Sequence, residues 1–209
     1  MTDNSSSDSP TDGLWTRHTL EETQDIYKRW AKDYDKDITD WGYATPGRVA
    51  MALRLAGANV DKGILDFGCG TGLAGMALTG VGFQIIDGTD ITPEMLSQAE
   101  ARGCYRQVWV GEPGSMGHIS AGDYPAICAC GVVSIGAAPP ETLDMLVAAL
   151  SHGGLLGFSY NDATLADREY TDALDRICLM PDIELVFEEH GAHLPAKEIG
   201  STVYVLRRL

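Results

Sequence analysis

Ile64-Leu65-Asp66-Phe67-Gly68-Cys69-Gly70-Thr71-Gly72, written ILDFGCGTG, decides the fold. A short apolar run opens into three glycines at alternate positions, the pattern of a strand ending in a tight turn. Glycines there let a ligand approach the backbone, and a helix starting just after them offers free N–H groups to an anion. Taken alone, the stretch leaves open a nucleoside triphosphate, a dinucleotide or a different ligand.

The chain around it alternates. Strand-like segments fall at 63–67, 84–89, 107–110, 125–131 and 153–159, and helix-like ones at 72–79, 93–101, 140–150 and 164–178. Thr92-Pro93 and Pro139-Pro140-Glu141 read as helix starts. This order predicts an α/β fold, a mostly parallel sheet with helices on both faces. Two last strand candidates, 183–188 and 202–207, have no full helix between them and are expected to pair antiparallel at one edge. Upstream, T-L-E-E at Thr19 is a capping box with Glu22, starting a helix with Tyr27, Trp30, Ala31 and Tyr34 on one face. A second helix is expected from Pro46 to Leu55, with Thr45 as its cap. Residues 1–16 read as a disordered tail, 17–57 as a helical cap over the site and 58–209 as the ligand-binding domain, with no second domain beyond it.

Composition narrows the function classes. The 209 residues are 44% hydrophobic and 22% charged, an ordinary globular balance. A formal net charge of −15 repels a phosphate backbone, so a nucleic-acid substrate is disfavoured and a small molecule or a basic protein suits better. No membrane span and no signal peptide are expected. Five cysteines (Cys69, Cys104, Cys128, Cys130 and Cys178) at irregular spacing read as free thiols in a reducing cytoplasm.

Neighbouring residues then separate the ligands. A triphosphate loop needs Lys after its glycines, yet no Lys lies between Lys62 and Lys197. The dinucleotide pattern needs a third glycine where Leu73 stands. Asp66, at the strand end and facing the site, sits badly beside a pyrophosphate but suits an amino group. Asp90 ends the next strand, where a carboxylate can accept two hydrogen bonds from vicinal ribose hydroxyls.

Asp66-Phe67-Gly68-Cys69-Gly70-Thr71-Gly72 followed by Asp90-Ile91-Thr92-Pro93-Glu94-Met95-Leu96 resembles the signature of class I S-adenosylmethionine-dependent methyltransferases. SHGGLLGFSY at 151–160 is similar to that family's fifth strand. The lead-in IYKRWAKDYDKDITDWGYATP looks like that of the Williams–Beuren-region methyltransferase-like group. The resemblance implies a Rossmann-like, seven-stranded, mostly parallel sheet with an antiparallel edge strand and an N-terminal helical lid. It implies S-adenosyl-L-methionine as cofactor, with Gly68, Cys69, Gly70, Thr71 and Gly72 along the methionine part and Asp66 on its amino group. Asp90 would take the ribose, Ile91 and Met95 the adenine face, and Glu112 the adenine amino group, although the family often has Asp there. Cys130 and Gly131 would approach the cofactor from the fourth strand.

Tyr27, Tyr34 and Tyr43 are candidates to close over a sulfonium cation, whose attraction to an aromatic face is worth roughly 0.5–2 kcal/mol. The first 50 residues and the loop VVSIGAAPP after residue 131 are the expected pocket walls. The implied activity is in-line transfer of a methyl group to a small, partly apolar acceptor. No residue is assigned as general base, and a non-catalytic cofactor sensor or partner subunit is the alternative. His190 and His193, spaced H-x-x-H, lack a completing ligand set and read as a solvated loop rather than a metal site. Tyr160, Asn161 and Asp162 read equally as pocket residues or as a connector.

Overall fold

The computed structural model describes residues 16–209. The tail expected over 1–16 therefore lies outside the described residues, apart from Thr16. Helices α1 (Leu20–Asp40) and α2 (Thr45–Leu55) lead into β1 (Gly63–Phe67), α3 (Leu73–Gly80), β2 (Ile85–Asp90), α4 (Pro93–Ala101) and β3 (Gln107–Val110). There follow β4 (Ala126–Ala129), α5 (Glu141–Ala148), β5 (Leu155–Asn161), α6 (Asp162–Leu165), α7 (Arg168–Cys178), β6 (Ile183–Leu194) and β7 (Ile199–Arg208).

The strands form one seven-stranded sheet among the described residues, ordered β3-β2-β1-β4-β5-β7-β6. Pairs among β1 to β5 are parallel, and β7 runs antiparallel to both β5 and β6. The antiparallel pair thus occupies one edge, with β7 inside β6. Strand order reverses between β1 and β4, and ligands bind beyond the carboxyl ends of strands at such a switch point. The glycine turn after β1 and Cys130-Gly131 after β4 meet there.

Period-2 alternation sends successive side chains to opposite faces. Leu65, Ile127, Leu156 and Phe158 join a core with α5 and α7 through Leu143, Leu146, Leu174 and Ile177. Ile64, Cys128, Leu155 and Val203 join another with α2 and α3 through Val49, Leu53 and Leu78. Helix α2 is therefore built into the sheet's helical layer, and α1 alone lies across the strand ends. Leu53 sits so close to Gly157 that a Cβ there would lie 2.9 Å from its Cδ1, which explains a glycine inside a buried strand.

Three local expectations are corrected. Thr45 is not the cap of α2: Ala44 holds that position, and the Thr45 hydroxyl is used instead by His193 Nδ1 (2.7 Å) and Ser201 (3.1 Å). The single helix over 164–178 is two, because Asp167 stops the first and caps the second by accepting from the Glu169 N–H. His190 and His193 lie on β6, not on a solvated loop; His193 is 8% exposed, and burial pushes its imidazole down to about 4, leaving it neutral. His190 pairs with Asp162 at 3.0 Å.

Candidate functional site

At the switch point the chain builds one cleft. The Gly68 and Cys69 N–H groups both donate to the Thr89 carbonyl, at 2.8 and 3.0 Å, folding the glycine turn back on β2. Gly70 has φ +54°, and a Cβ on it would meet nothing within 4 Å, so its open side faces the cleft. Gly68 also has positive φ, and a Cβ there would run into the Val132 side chain. Turn and β4 loop thus approach each other only because no side chain intervenes.

Asp90 braces this turn. Its Oδ2 accepts from the Gly70 N–H at 2.9 Å and its Oδ1 from the Thr92 N–H at 2.8 Å. Burial raises its pKa, opposed by those backbone donors. A carboxylate oxygen has a second acceptor position. Asp90 is therefore oriented by the backbone and still able to receive two further donors. Ile91 and Thr92, just ahead of helix α4, and Met95 within it join the lining, while Gly111, Glu112 and Ser115 after β3 complete that wall.

Helix α1 crosses the cleft because its buried stripe is aromatic. Trp30 is 2% exposed and meets Tyr34 edge-on at 4.7 Å and Trp41 at 5.8 Å. Its indole N–H donates to Asp37 at 2.9 Å. This leaves Tyr27 and Tyr34 on the cleft. Asp35 fastens the helix to the turn, accepting from the Thr71 hydroxyl at 2.6 Å and pairing with Arg102, which also donates to the Thr71 carbonyl. Thr23 donates to the Gly136 carbonyl at 3.4 Å, joining α1 to the 131–139 loop. Tyr43 reaches Cys130 Sγ at 3.6 Å and stacks edge-on against His193, so the β6–β7 hairpin supports it.

Burial raises the pKa of all three cleft tyrosines, Tyr27 to about 12. They are neutral hydroxyls at physiological pH. Burial also pushes the Cys130 thiol up to about 12 and raises Cys69, so neither is a thiolate nucleophile.

Of the residues singled out in the sequence, Gly68, Cys69, Gly70, Thr71, Asp90, Ile91, Met95, Glu112, Cys130, Gly131, Tyr27, Tyr34 and Tyr43 all line this cleft. Two do not. Gly72 caps α3 with φ +91° and faces α4, where a Cβ would lie 2.8 Å from Arg102 Cδ. Asp66, expected to face the site, is fully buried beneath the turn on the α3 side. Strand alternation sends Phe67, not Asp66, to the cleft. There Asp66 Oδ2 accepts from the Tyr105 hydroxyl at 2.7 Å and its Oδ1 has no partner. Burial lifts the carboxyl to about 7, against the lowering by Tyr105.

The expected walls are real: Leu20, Thr23 and Pro46 from the N-terminal part and Val132, Ala137, Ala138 and Pro139 from the loop line the cleft. Asn161 caps α6 and Tyr160 lies in the core, so that segment is a connector. Sequence reasoning missed Asp35, Arg102 and Tyr105. Nothing in their spacing marks them, since their partners are brought in by the tertiary fold.

Comparison with known proteins agrees with this geometry. A family model described as a methyltransferase domain matches residues 65–156, from β1 through β5. Methyltransferase-like protein 27 from Homo sapiens is 34% identical over 158 residues, covering 73% of this chain and 64% of that protein. Ribosomal protein L11 methyltransferase from Thiobacillus denitrificans is 31% identical over 81 residues, 38% of this chain and 27% of that protein. The chain thus spans less than two thirds of both curated relatives. The crystal structure of the [4+2]-cyclase SpnF shares the fold, with a TM-score of 0.65 at 13% identity over 92% of this chain and 98% of that one. No helix among the described residues is long and apolar enough to cross a membrane. With the glycine turn, the Asp90 brace and the switch-point cleft in place, residues 65–156 match a methyltransferase domain, and the chain is similar to the class I S-adenosylmethionine-dependent methyltransferases.

Proposed function

We propose that the protein transfers the methyl group of S-adenosylmethionine to a small-molecule acceptor by in-line displacement. The observation that carries this is the interlock of Gly70 and Asp90 at the open mouth of the switch point. The residues fit the cofactor in two respects. The bare face of Gly70 admits its backbone-hugging methionine part, and Asp90 keeps acceptor positions for two ribose hydroxyls.

When bound, the cofactor supplies a methyl group already activated on a positive sulfur, so the protein need not form a covalent intermediate. What remains for the chain is to hold the reacting atoms about 3–3.5 Å apart in a dry site. Helix α1, fastened through Asp35, supplies the roof that excludes water, and Tyr27, Tyr34 and Tyr43 present uncharged aromatic surface to the sulfonium side. Ile91 and Met95 form an apolar slot beside Asp90 for the adenine, and Glu112 stands where its amino group can be received. The five cysteines are free, in keeping with a reducing cytoplasm as the compartment.

Isothermal calorimetry with S-adenosylmethionine and S-adenosylhomocysteine tests the reading. Micromolar or tighter binding of both is expected, with no comparable binding of NADH. Binding of NADH alone would return the glycine turn to dinucleotide chemistry.

A further inference from the structure

The cleft continues past the proposed cofactor site. Beyond the residues assigned to nucleoside and methionine, its remaining wall is made by Leu20 and Thr23 on α1, Val132 and Ala137–Pro139 on the loop, and Thr142 at the start of α5. This wall is apolar apart from two hydroxyls, and Thr23 is already occupied by the Gly136 carbonyl. The hydroxyls of Tyr27 and Tyr34 line the cleft and make no hydrogen bond within the described residues. Among the described residues, no Lys, Arg or His lines the cleft, and the only charged side chains lining it are Asp90 and Glu112. Residues 1–15 contain no Lys, Arg or His either, only three aspartates as charged side chains.

These facts select among acceptors. An anionic acceptor, a carboxylate or a phosphate, would have to shed its water with no cationic side chain to receive it, which costs several kcal/mol. An alcohol acceptor needs a base near neutrality to take its proton. Asp90 is braced by two backbone N–H groups, Glu112 is given to the adenine amino group, and the buried tyrosines and Cys130 keep their own protons. A neutral nucleophile with a free lone pair needs neither help.

We infer that the acceptor is a small, largely apolar molecule whose nucleophile is an uncharged nitrogen of the weakly basic heteroaromatic kind, methylated to a cation. The inference rests on the methyltransferase reading above. In the step, the nitrogen lone pair forms the new nitrogen–methyl bond as the methyl–sulfur bond breaks. The electron pair of the broken bond stays on sulfur, and the positive charge passes from sulfur to nitrogen. No proton moves and total charge is unchanged, so a wall of aromatic faces and neutral hydroxyls beside two carboxylates serves both ends of the reaction.

The test uses the full chain saturated with S-adenosylhomocysteine and three matched probe series: substituted pyridines, phenols and benzoates of equal size. Calorimetry is expected to show pyridines binding at least about tenfold tighter than the matching benzoates. With S-adenosylmethionine carrying a deuterated methyl group, mass spectrometry is expected to find N-methyl pyridinium products. Benzoates or phenols binding as tightly as pyridines, no pyridine binding, or an ester or ether as the main product would each overturn the inference. Leu20, 50% exposed at the rim, accepts a lysine without disturbing the core. Leu20→Lys should narrow the pyridine-to-benzoate gap, and an unchanged gap would count against the charge argument. Failure to bind S-adenosylhomocysteine at all would instead remove the methyltransferase reading, so the two failures are distinguishable.

Discussion

The Tyr105 hydroxyl donates to Asp66 Oδ2 at 2.7 Å directly beneath the glycine turn, while Asp66 Oδ1 has no hydrogen-bond partner. Tyr105 reaches this point because two glycines make way: a Cβ on Gly75 of α3 would strike its hydroxyl, and one on Gly88 of β2 would lie 3.0 Å from its ring. A half-satisfied buried carboxyl is costly to the fold.

Asp66→Asn should make stability less dependent on pH. The folded pKa of about 7 lies above the ordinary carboxylate value of about 4. Between those values the native chain holds a proton that the unfolded chain has released. The wild type therefore loses stability as pH rises from about 4 to about 7, and the loss is complete above that. Urea unfolding at pH 5 and pH 8 should show the difference between variant and wild type moving by roughly 2–4 kcal/mol in favour of the variant. An unchanged difference would mean that Asp66 is ionised throughout.

Gly75→Ala should destabilise the protein despite improving local helix propensity. Alanine normally gains about 1 kcal/mol over glycine in a helix. Here its methyl group would displace a buried Tyr105 hydroxyl pinned to Asp66, an overpacking that costs roughly 1–3 kcal/mol. Tyr105→Leu removes the obstructing hydroxyl, so the alanine should cost less in that background. A double-mutant cycle by chemical denaturation reads the coupling, and additivity would show that the two residues do not meet.

The glycine turn, Asp90 and the strand–helix alternation were legible in ILDFGCGTG and GTDITPEML because their roles are local. A turn needs positive φ, and a strand-end carboxylate reaches its neighbours' N–H groups within two residues or across one strand. Asp66 was misread for a simple reason: the strand period sends it and Phe67 to opposite faces, and only the sheet says which face is the cleft. His193 was misread because its partner, Thr45, is 148 residues away. Asp35, Arg102 and Tyr105 were invisible for the same reason. Their chemistry exists only once α1, α3 and α4 have packed around the turn.

Asp90→Ala should abolish most cofactor binding while leaving the chain folded. Two charge-assisted hydrogen bonds to ribose hydroxyls are worth about 1.5–3 kcal/mol each, so a weakening of about a hundredfold or more is expected. The Gly70 and Thr92 N–H groups lose their acceptor but lie at the cleft, where water can replace it. Calorimetry with S-adenosylhomocysteine, alongside circular dichroism, separates the outcomes. Retained affinity would contradict the ribose assignment.

Asp35→Ala should loosen α1 without unfolding the sheet. One carboxylate holds both the Thr71 hydroxyl and Arg102, so its loss cuts the link between the helix and the turn. Asp35 is partly exposed, so global stability should change by no more than about 1 kcal/mol. Local opening is another matter, since Tyr27 and Tyr34 ride on this helix over the cleft. Hydrogen–deuterium exchange should quicken across 20–40 and stay unchanged in β1 and β4, because only the roof is released. Affinity for S-adenosylhomocysteine should fall several-fold with it. Unaltered exchange in α1 would mean that the Trp30, Tyr34 and Trp41 cluster alone keeps the helix down, and that Asp35 orders the turn rather than the roof.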